Sequence, residues 1–361
     1  MTTELETLAA RLSAGYQATG DTLVLALEGL RIGVESNSAA LLARLADYFA
    51  HLVDEGEVDI RLQAYQCEAP DLGLTYRDWR REPGKQGRKD ACFDLPGARV
   101  IHKVRTGMTF LQSATHRIAA GPCLQNDNQV INFINNQYMN WLQQNGWLNC
   151  HAAALSRNGK AIAMAGFSGG GKSTLMLQLM EQQGSAFLSN DRLFIRPQQD
   201  RVLAAGIPKM PRINPGTIVH NPRLQPLIPA SERAALLQLP AAELWELEQK
   251  YDADIPRLYG EGRVDTAFRP LAAFMVLNWQ RDTDQPLQVE RVDLNRRRDL
   301  LAAIMKSPGP FYQRRDGQFQ SDGQSLDETA YLQVLQSVPV YEARGRVDFA
   351  ALAQRYLEQV D

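Results

Sequence analysis

The stretch AMAGFSGGGKSTLMLQLMEQQGSAFLSND, residues 163–191, decides the fold. Residues 166–174 within it satisfy GxxxxGK followed by Ser or Thr, a consensus whose backbone N–H groups bind phosphate. The apolar AIAMA before this loop predicts a buried strand, and STLMLQLMEQQG after it predicts an amphipathic helix that Gly184 can end. The strand, loop and helix that the motif requires are therefore all predicted, and with them a nucleotide site.

The loop assigns specific roles to its residues. The N–H groups of residues 168–173 are expected to converge on the β-phosphate, where the helix dipole also favours an anion. Lys172 would reach the β- and γ-phosphates, and Ser173 would hold Mg²⁺ through its hydroxyl. The predicted cofactors are ATP and Mg²⁺, and the predicted nucleotide-binding residues are Gly166, Ser168, Gly169, Gly170, Gly171, Lys172, Ser173 and Thr174.

A carboxylate follows this loop unusually early in the chain. The strand-like AFLS at residues 186–189 leads directly into Asn190 and Asp191. In a βαβ unit the carboxyl ends of neighbouring parallel strands share one edge, so Asp191 should lie beside the γ-phosphate. A base that accepts the proton of an alcohol belongs there in phosphoryl transfer. Asp191 is thus the predicted catalytic base, and a plain turn residue is the alternative; Ser173, Asn190 and Asp191 are the candidate metal ligands.

Two large classes of nucleotide-binding protein are disfavoured by missing residues. No late apolar run ends in the Asp or Asp-Glu pair of a mechanical ATPase, since LAAFMVLNW at residues 271–279 ends in Asn-Trp, and no LSGGQ signature occurs. The DLPG that begins at Asp94 is similar to the DxxG of switch GTPases, but it precedes the loop. Phosphoryl transfer with an early base remains the leading interpretation.

These residues resemble a known family. GFSGGGKSTLMLQLMEQQGSAFLSNDRLFI, residues 166–195, is similar to the corresponding segment of HPr kinase/phosphorylase. Residues 149–280 as a whole are most similar to the branch called HprK-related kinase B. His151 matches the family's histidine before the loop strand, RVDT at residues 263–266 is similar to its R-E-D-T, and VLNW at residues 276–279 is similar to its L-E-N-W.

The resemblance implies the fold class and further roles. It implies an α/β fold with a P-loop kinase core of the HPr kinase/phosphoenolpyruvate carboxykinase type, a mixed twisted sheet with flanking helices. Gln198-Gln199-Asp200 fits such a sheet as a hairpin turn between two strands. A smaller N-terminal α+β domain is predicted from the residues themselves, because the strand-like TLVLALEG and RIGVES lead into a helix from about Ser38. The resemblance also implies a bacterial protein, with His151 orienting or tuning Asp191, and self-association, because HPr kinases are hexamers.

The sequence departs from the family in two places. The family's paired aspartates are Asn190 and Asp191 here, which puts a reverse, phosphorylase-type reaction in doubt. The family's Glu-(Ile/Val)-Arg-Gly segment is absent, and PKMPRINPGTIVHNPRL at residues 208–224 stands in its place. A guanidinium can neutralise a transferring phosphoryl group, so Arg212 is the catalytic candidate, with Lys209 and Asn214 as candidate substrate residues. A purely structural proline-rich loop is the alternative.

Length and composition bound the rest. A chain of 361 residues suggests about two domains, which we expect at residues 1–125, an α+β domain for docking a substrate or partner, and 126–361, the catalytic domain. The net charge of −2 shows no bias toward nucleic acid, and no apolar run reaches the length of a membrane span. The four scattered cysteines argue against zinc and suit a reducing compartment, so the expected location is the cytoplasm.

Three functions remain open from the sequence. The first is an ATP- and Mg²⁺-dependent kinase that phosphorylates a serine-type hydroxyl of a protein or peptide. The second keeps this chemistry but takes a small hydroxyl compound, and nothing in the sequence separates it decisively from the first. The third is a nucleotide-binding regulatory module without transfer activity, which Asn190 and the missing glutamate favour.

Overall fold

The computed structural model describes residues 3–80, 87–167, 169–247 and 249–360. The chain forms two compact units: Met1–Gly146 with Ser307–Ser325, called unit 1, and Trp147–Lys306 with Leu326–Asp361, called unit 2. This division differs from the expected one near residue 125. The helix at residues 127–144 belongs to unit 1, and so does segment 307–325, which lies in the second half of the chain.

Packing explains why segment 307–325 belongs to unit 1. The Phe311 ring lies 5.5 Å from that of Phe110 and 5.4 Å from that of Phe133, measured between centroids. The side-chain amide of Asn140 also donates to the carbonyl oxygen of Phe311 at 2.8 Å. These contacts join positions far apart in the chain, so no local sequence pattern predicts them.

Unit 1 is built on a mixed sheet with helices against it. In chain order its elements are α1 (Glu4–Ser13), β1 (Thr22–Leu27), β2 (Leu30–Ser36), α2 (Ala39–Tyr48), a 3-10 turn (Ala50–Leu52), β3 (Val53–Asp54), β4 (Ile60–Gln66), β5 (Arg77–Asp78), β6 (Asp90–Leu95), β7 (Ala98–Lys103), β8 (Thr109–Ser113), β9 (Arg117–Gly121) and α3 (Asp127–Gln144). The strand order is β3-β1-β2-β4-β9-β8-β7-β6-β5. The pairs β2–β4 and β4–β9 are parallel, and the others are antiparallel.

Unit 2 contains a second mixed sheet and most of the shorter helices. Its elements are β10 (Leu148–Cys150), β11 (Ala152–Arg157), β12 (Lys160–Gly166), α4 (Lys172–Met180), β13 (Ser185–Ser189), β14 (Leu193–Gln198), β15 (Arg201–Gly206), β16 (Arg212–Ile213), α5 (Pro215–Val219), a 3-10 turn (Gln225–Leu227), α6 (Ala230–Leu236), α7 (Ala241–Glu246), β17 (Tyr251–Asp252), α8 (Ile255–Tyr259), β18 (Arg269–Leu277), β19 (Gln288–Arg291), α9 (Arg298–Ile304), α10 (Glu328–Leu335), β20 (Val340–Arg344) and α11 (Phe349–Val360). The mixed α/β architecture is confirmed, and β14 and β15 form the hairpin predicted at residues 198–200.

The strand order of unit 2 places three chain segments at one sheet edge. The order is β10-β14-β15-β18-β12-β11-β13, with β20 pairing to β18 and β19. Strand β11 lies between β12 and β13 and is antiparallel to both. The expectation that β12 and β13 would be direct neighbours is therefore corrected. Strands β12 and β13 still run in the same direction. Their carboxyl ends and the start of β11 therefore lie along the same edge of the sheet, the edge formed by strand ends.

Small residues in the middle of this sheet let helices approach closely. The alanines of β11 and β12 are fully buried, and they share a core with leucines and isoleucine of α9: Ala152, Ala154, Ala161, Ala163, Ala165, Leu300, Leu301 and Ile304. A short side chain lets two backbones approach closely, and close packing then limits how far α9 and the sheet can shift relative to each other. Among the described helices of both units, none combines the length and apolar character that a bilayer crossing requires.

Candidate active site

A glycine-rich turn connects β12 to α4 at the shared sheet edge. Strand β12 ends at Gly166, and α4 begins at Lys172 with Gly171 as its N-cap. Gly169 and Gly171 have φ values of +76° and +87°, which L side chains rarely adopt, so glycine is required at both positions. Ser168, predicted to bind nucleotide, lies outside the described residues.

Lys172 lies against this turn in the structure. Its ammonium nitrogen is 2.7 Å from the carbonyl oxygen of Gly166 and 3.2 Å from that of Phe167. The side chain is buried, with 8% of its surface exposed. A buried ammonium needs acceptors, and these carbonyls supply them. The lysine charge is thereby held at the N-terminus of α4, where an anion is favoured.

The proline-rich segment 208–224 packs onto the first turn of α4. The hydroxyl oxygens of Thr174 and Thr217 lie 2.7 Å apart. Thr217 belongs to α5, which Asn214 precedes as its N-cap. The amide oxygens of Asn190 and Asn214 are buried and have no hydrogen-bond partner within the part of the chain that the structure describes. Unsatisfied oxygen acceptors are the kind of group that a Mg²⁺ ion, its water or a substrate donor can satisfy.

A charged cluster forms around Asp191, immediately after β13. The ammonium nitrogen of Lys306 lies 3.0 and 2.9 Å from the two carboxylate oxygens of Asp191. Nε2 of His151 lies 3.4 Å from one of them. The Asp191 side chain is 59% exposed, whereas the Lys306 side chain is 13% exposed. The carboxylate is therefore open to solvent, while its counter-ion Lys306 is mostly buried.

Main-chain bonds put Lys306 and His151 in place. The N–H of His151 donates to the carbonyl oxygen of Ile304 at 2.7 Å, and that of Lys306 donates to Asn149 at 3.1 Å. An antiparallel bridge also joins Cys150 to Met305. The end of α9 and the residues after it are thus bound to the end of β10 and to His151, which follows β10. The Asp191 cluster follows from this backbone pairing.

The groups around Asp191 and His151 shift the pKa values of both side chains. Although much of its side chain stays exposed, the protein around Asp191 displaces part of its hydration, which raises the pKa. The hydrogen bond with His151 and the positive charge of Lys306 outweigh this effect, so the pKa lies well below 3.8. Burial lowers the pKa of His151 below 6.5, and Asp191 reverses this only in part. Near pH 7 Asp191 is therefore ionised and His151 is neutral, donating from Nε2.

The remaining predicted residues have different surroundings. Burial lowers the pKa of Lys209, whereas the nearby charge of Asp191 raises it, so Lys209 lies within electrostatic reach of the cluster. Arg212 is paired elsewhere: its Nε lies 3.0 Å from the Asp252 carboxylate, and Nη2 lies 3.4 Å from the carbonyl oxygen of Lys250. The structure thus brings His151 to Asp191 but shows no contact between Arg212 and Asp191.

Sequence reasoning missed Lys306. This lysine follows α9 by two residues and is 115 positions from Asp191, and no motif surrounds it. The contacts that place it are the backbone pairing of Cys150 with Met305 and of Asn149 with Lys306, which no local sequence pattern indicates. Among the described residues, no group of three or more His, Cys, Asp or Glu is arranged to hold a metal ion. A Mg²⁺ site here would depend on Ser173, Asp191 and the phosphates of a nucleotide, a donor set that suits this ion.

No family model matches the chain, and no curated protein matches it. One solved structure to which it is similar is that of the Hpr(Ser) kinase/phosphatase from Coxiella burnetii. The two share 10% sequence identity at a TM-score of 0.30, over 58% of this chain and 93% of the other. A likeness this distant carries no argument, so the functional case depends on the geometry described above.

Proposed function

We propose that this protein is an ATP- and Mg²⁺-dependent kinase that transfers the γ-phosphoryl group to a serine-type hydroxyl of a protein or peptide. The observation that carries this proposal is the shared sheet edge in unit 2. The glycine-rich loop follows β12, and the Asp191 carboxylate follows β13, with His151 at the start of the strand between them. A donor site and a base beside each other are what phosphoryl transfer requires.

The loop would hold the donor substrate. Backbone N–H groups at the start of α4 and the ammonium of Lys172 would bind the ATP phosphates, so Lys172 must exchange the carbonyls of Gly166 and Phe167 for phosphate oxygens. Ser173 and Asp191 would hold Mg²⁺, with the unsatisfied amide oxygen of Asn190 as a further acceptor. When bound, Mg²⁺ neutralises charge on the phosphates.

Asp191 would act on the acceptor. The hydroxyl oxygen forms the new bond to phosphorus, the bond from phosphorus to the bridging oxygen of ADP breaks, and the hydroxyl proton passes to Asp191. A low pKa makes this carboxylate a weak base, which suits a loose transition state in which the proton leaves late. His151 and Lys306 hold the carboxylate oxygens in a fixed orientation. Lys209 and Arg212 remain candidates for binding the acceptor.

The test is transfer from γ-labelled ATP with Mg²⁺ into a lysate of the source organism, with products separated by size. We expect a discrete labelled protein band with the wild type. Asp191→Ala should lower transfer by about 10²-fold or more while ATP binding persists, because a lost general base costs about 10²–10⁴. Lys172→Ala should lose binding and transfer together. Transfer by Asp191→Ala at the wild-type rate contradicts the assignment, and label in a small product instead indicates a small hydroxyl acceptor.

One observation favours the regulatory module as a second candidate. Lys306 contacts both carboxylate oxygens of Asp191, so the charge of the predicted base is already paired with a counter-ion. A protein that only binds nucleotide has no need to free this carboxylate. This candidate predicts tight ATP binding with no labelled acceptor of any size in the same experiment.

A further inference from the structure

Three aromatic side chains surround the outer side of the glycine-rich loop in unit 2. Trp245 comes from α7, Trp279 follows β18, and Phe349 begins α11. The ring centroids of Trp245 and Trp279 are 5.6 Å apart, and Phe349 lies 6.1 and 6.0 Å from them. The guanidinium of Arg281 lies 5.1 Å from the centroid of the Trp245 ring. The three rings, called here the aromatic clamp, therefore form one contact group.

The clamp makes directed hydrogen bonds to the loop. The indole N–H of Trp279 donates to the carbonyl oxygen of Gly170 at 2.9 Å, and that of Trp245 donates to Gly169 at 3.1 Å. Phe349 fills the space behind Gly171, because a Cβ atom added there would lie 2.3 Å from its Cζ. The clamp thus contacts three consecutive glycines of the loop, each in a different way.

These bonds fix the orientation of peptide planes. In a trans peptide the C=O and the following N–H point in opposite directions. The Gly170 carbonyl points outward to Trp279, so the N–H of Gly171 points to the opposite, inner side. Gly170 donates its own N–H to the carbonyl oxygen of Phe167 at 3.0 Å, whereas Gly171 donates to no acceptor within the described residues. The N–H of Gly171 is therefore already oriented toward the inner side of the loop before a ligand binds.

We infer that Trp279 and Trp245 are positioning residues that set the glycine-rich loop in its phosphate-binding conformation before the nucleotide arrives. The inference deepens the proposed function and depends on it, because the ligand is the polyphosphate of that same site. Glycines leave the loop many backbone conformations, and fixing them costs free energy on binding. Indole bonds that are already formed reduce this cost, as preorganisation does elsewhere.

The C-terminal helix supports the clamp from the other side. The phenol oxygen of Tyr356, which is fully buried, lies 2.7 Å from the carbonyl oxygen of Ala163 in β12 and 3.0 Å from that of Ala273 in β18. Tyr356 follows Phe349 by two turns of the same helix. Helix α11 thus connects β12, which leads into the loop, with Phe349, which lies behind Gly171.

The experiment measures the Kd of Mg·ATP and Mg·ADP by calorimetry for Trp279→Phe and Trp245→Phe in the full chain. Each change keeps an aromatic ring and removes the N–H donor together with part of the indole, a loss of ring size that the Trp147→Phe control shares. We expect Kd to rise about three- to tenfold for each variant, the loss of one net hydrogen bond. Trp147→Phe is the matched control, because the Trp147 ring nitrogen is buried without a partner among the described residues, so its removal should leave Kd unchanged.

Two further readouts separate positioning from general stability. Nucleotide addition should change the indole emission of the wild type and of Trp147→Phe, because Trp279 and Trp245 both contact the loop. A purely structural role would lower the melting temperature of Trp279→Phe and Trp245→Phe without changing Kd, and that result overturns the inference. If the wild type binds neither nucleotide, the proposed function fails first; if it binds and Trp279→Phe binds equally well, only the inference fails.

Discussion

At the scale of single residues, the Asp191 carboxylate carries the proposed chemistry because its charge is set by two neighbours. Lys306 contacts both oxygens at about the same distance, and His151 approaches one of them. Partial loss of hydration acts in the opposite direction, but it is outweighed, so the pKa of Asp191 lies well below its usual value of 3.8. The site therefore keeps a negative charge in place at every pH near neutrality.

Replacing Lys306 with Met should change how transfer depends on pH. The lysine charge lowers the pKa of Asp191, so its removal raises that pKa. Transfer requires the ionised carboxylate, which disappears as pH falls through its pKa, so the acidic limb of the profile moves to higher pH. The measurement is kcat/KM for transfer against pH, with Lys306→Arg as the charge-preserving control. An unshifted limb in Lys306→Met would show that Lys306 only supports the fold.

At the scale of elements, sequence and structure agree where the pattern is local. The apolar AIAMA, the glycines and the amphipathic helix indicate β12, the loop and α4, and the turn at Gln199 marks the β14–β15 hairpin. The position of β11 between β12 and β13 does not follow from any of these stretches, because strand order depends on packing between distant residues. Lys306 escapes prediction for the same reason.

The close approach of β15 to β13 yields a prediction at this scale. A Cβ atom at Gly206 would lie 1.9 Å from the backbone oxygen of Leu188, which cannot move without displacing β13 and the Asp191 that follows it. Gly206→Ala should lower the free energy of unfolding by more than about 3 kcal/mol. Gly184→Ala is the control. No atom lies within 4 Å of a Cβ added at Gly184, so the change costs only the strain of an alanine at φ +77°, about 1–2 kcal/mol. Chemical denaturation measures both, and equal losses would contradict the predicted clash.

At the scale of the whole molecule, unit 1 is discontinuous in sequence. The buried Arg99 guanidinium donates to the carbonyl oxygens of Pro310 and Gln320 and lies 4.7 Å from the centroid of the Phe319 ring. A fragment of residues 1–146 would leave this charge with fewer partners and would expose the aromatic contacts of Phe311. Removing partners from a buried charge is strongly destabilising.

We therefore expect fragment 1–146 to unfold at a lower denaturant concentration than the same fragment joined to residues 307–325 by a long Gly/Ser linker. Circular dichroism during urea titration measures the difference, and a fragment with a scrambled 307–325 segment serves as the control. Equal midpoints for all three would mean that the segment contributes nothing to the stability of unit 1.

The backbone pairing between residues 149–151 and 304–306 determines which substitutions the site can tolerate in evolution. The bonds that place Lys306 and His151 beside Asp191 are made by main-chain atoms, which every residue except proline supplies in full. Inherited substitutions at the intervening positions, Cys150 and Met305, can then accumulate as long as they remain apolar and avoid proline. Descendants of this chain should therefore show exchange among apolar residues at these two positions and little change at Asp191, His151 and Lys306.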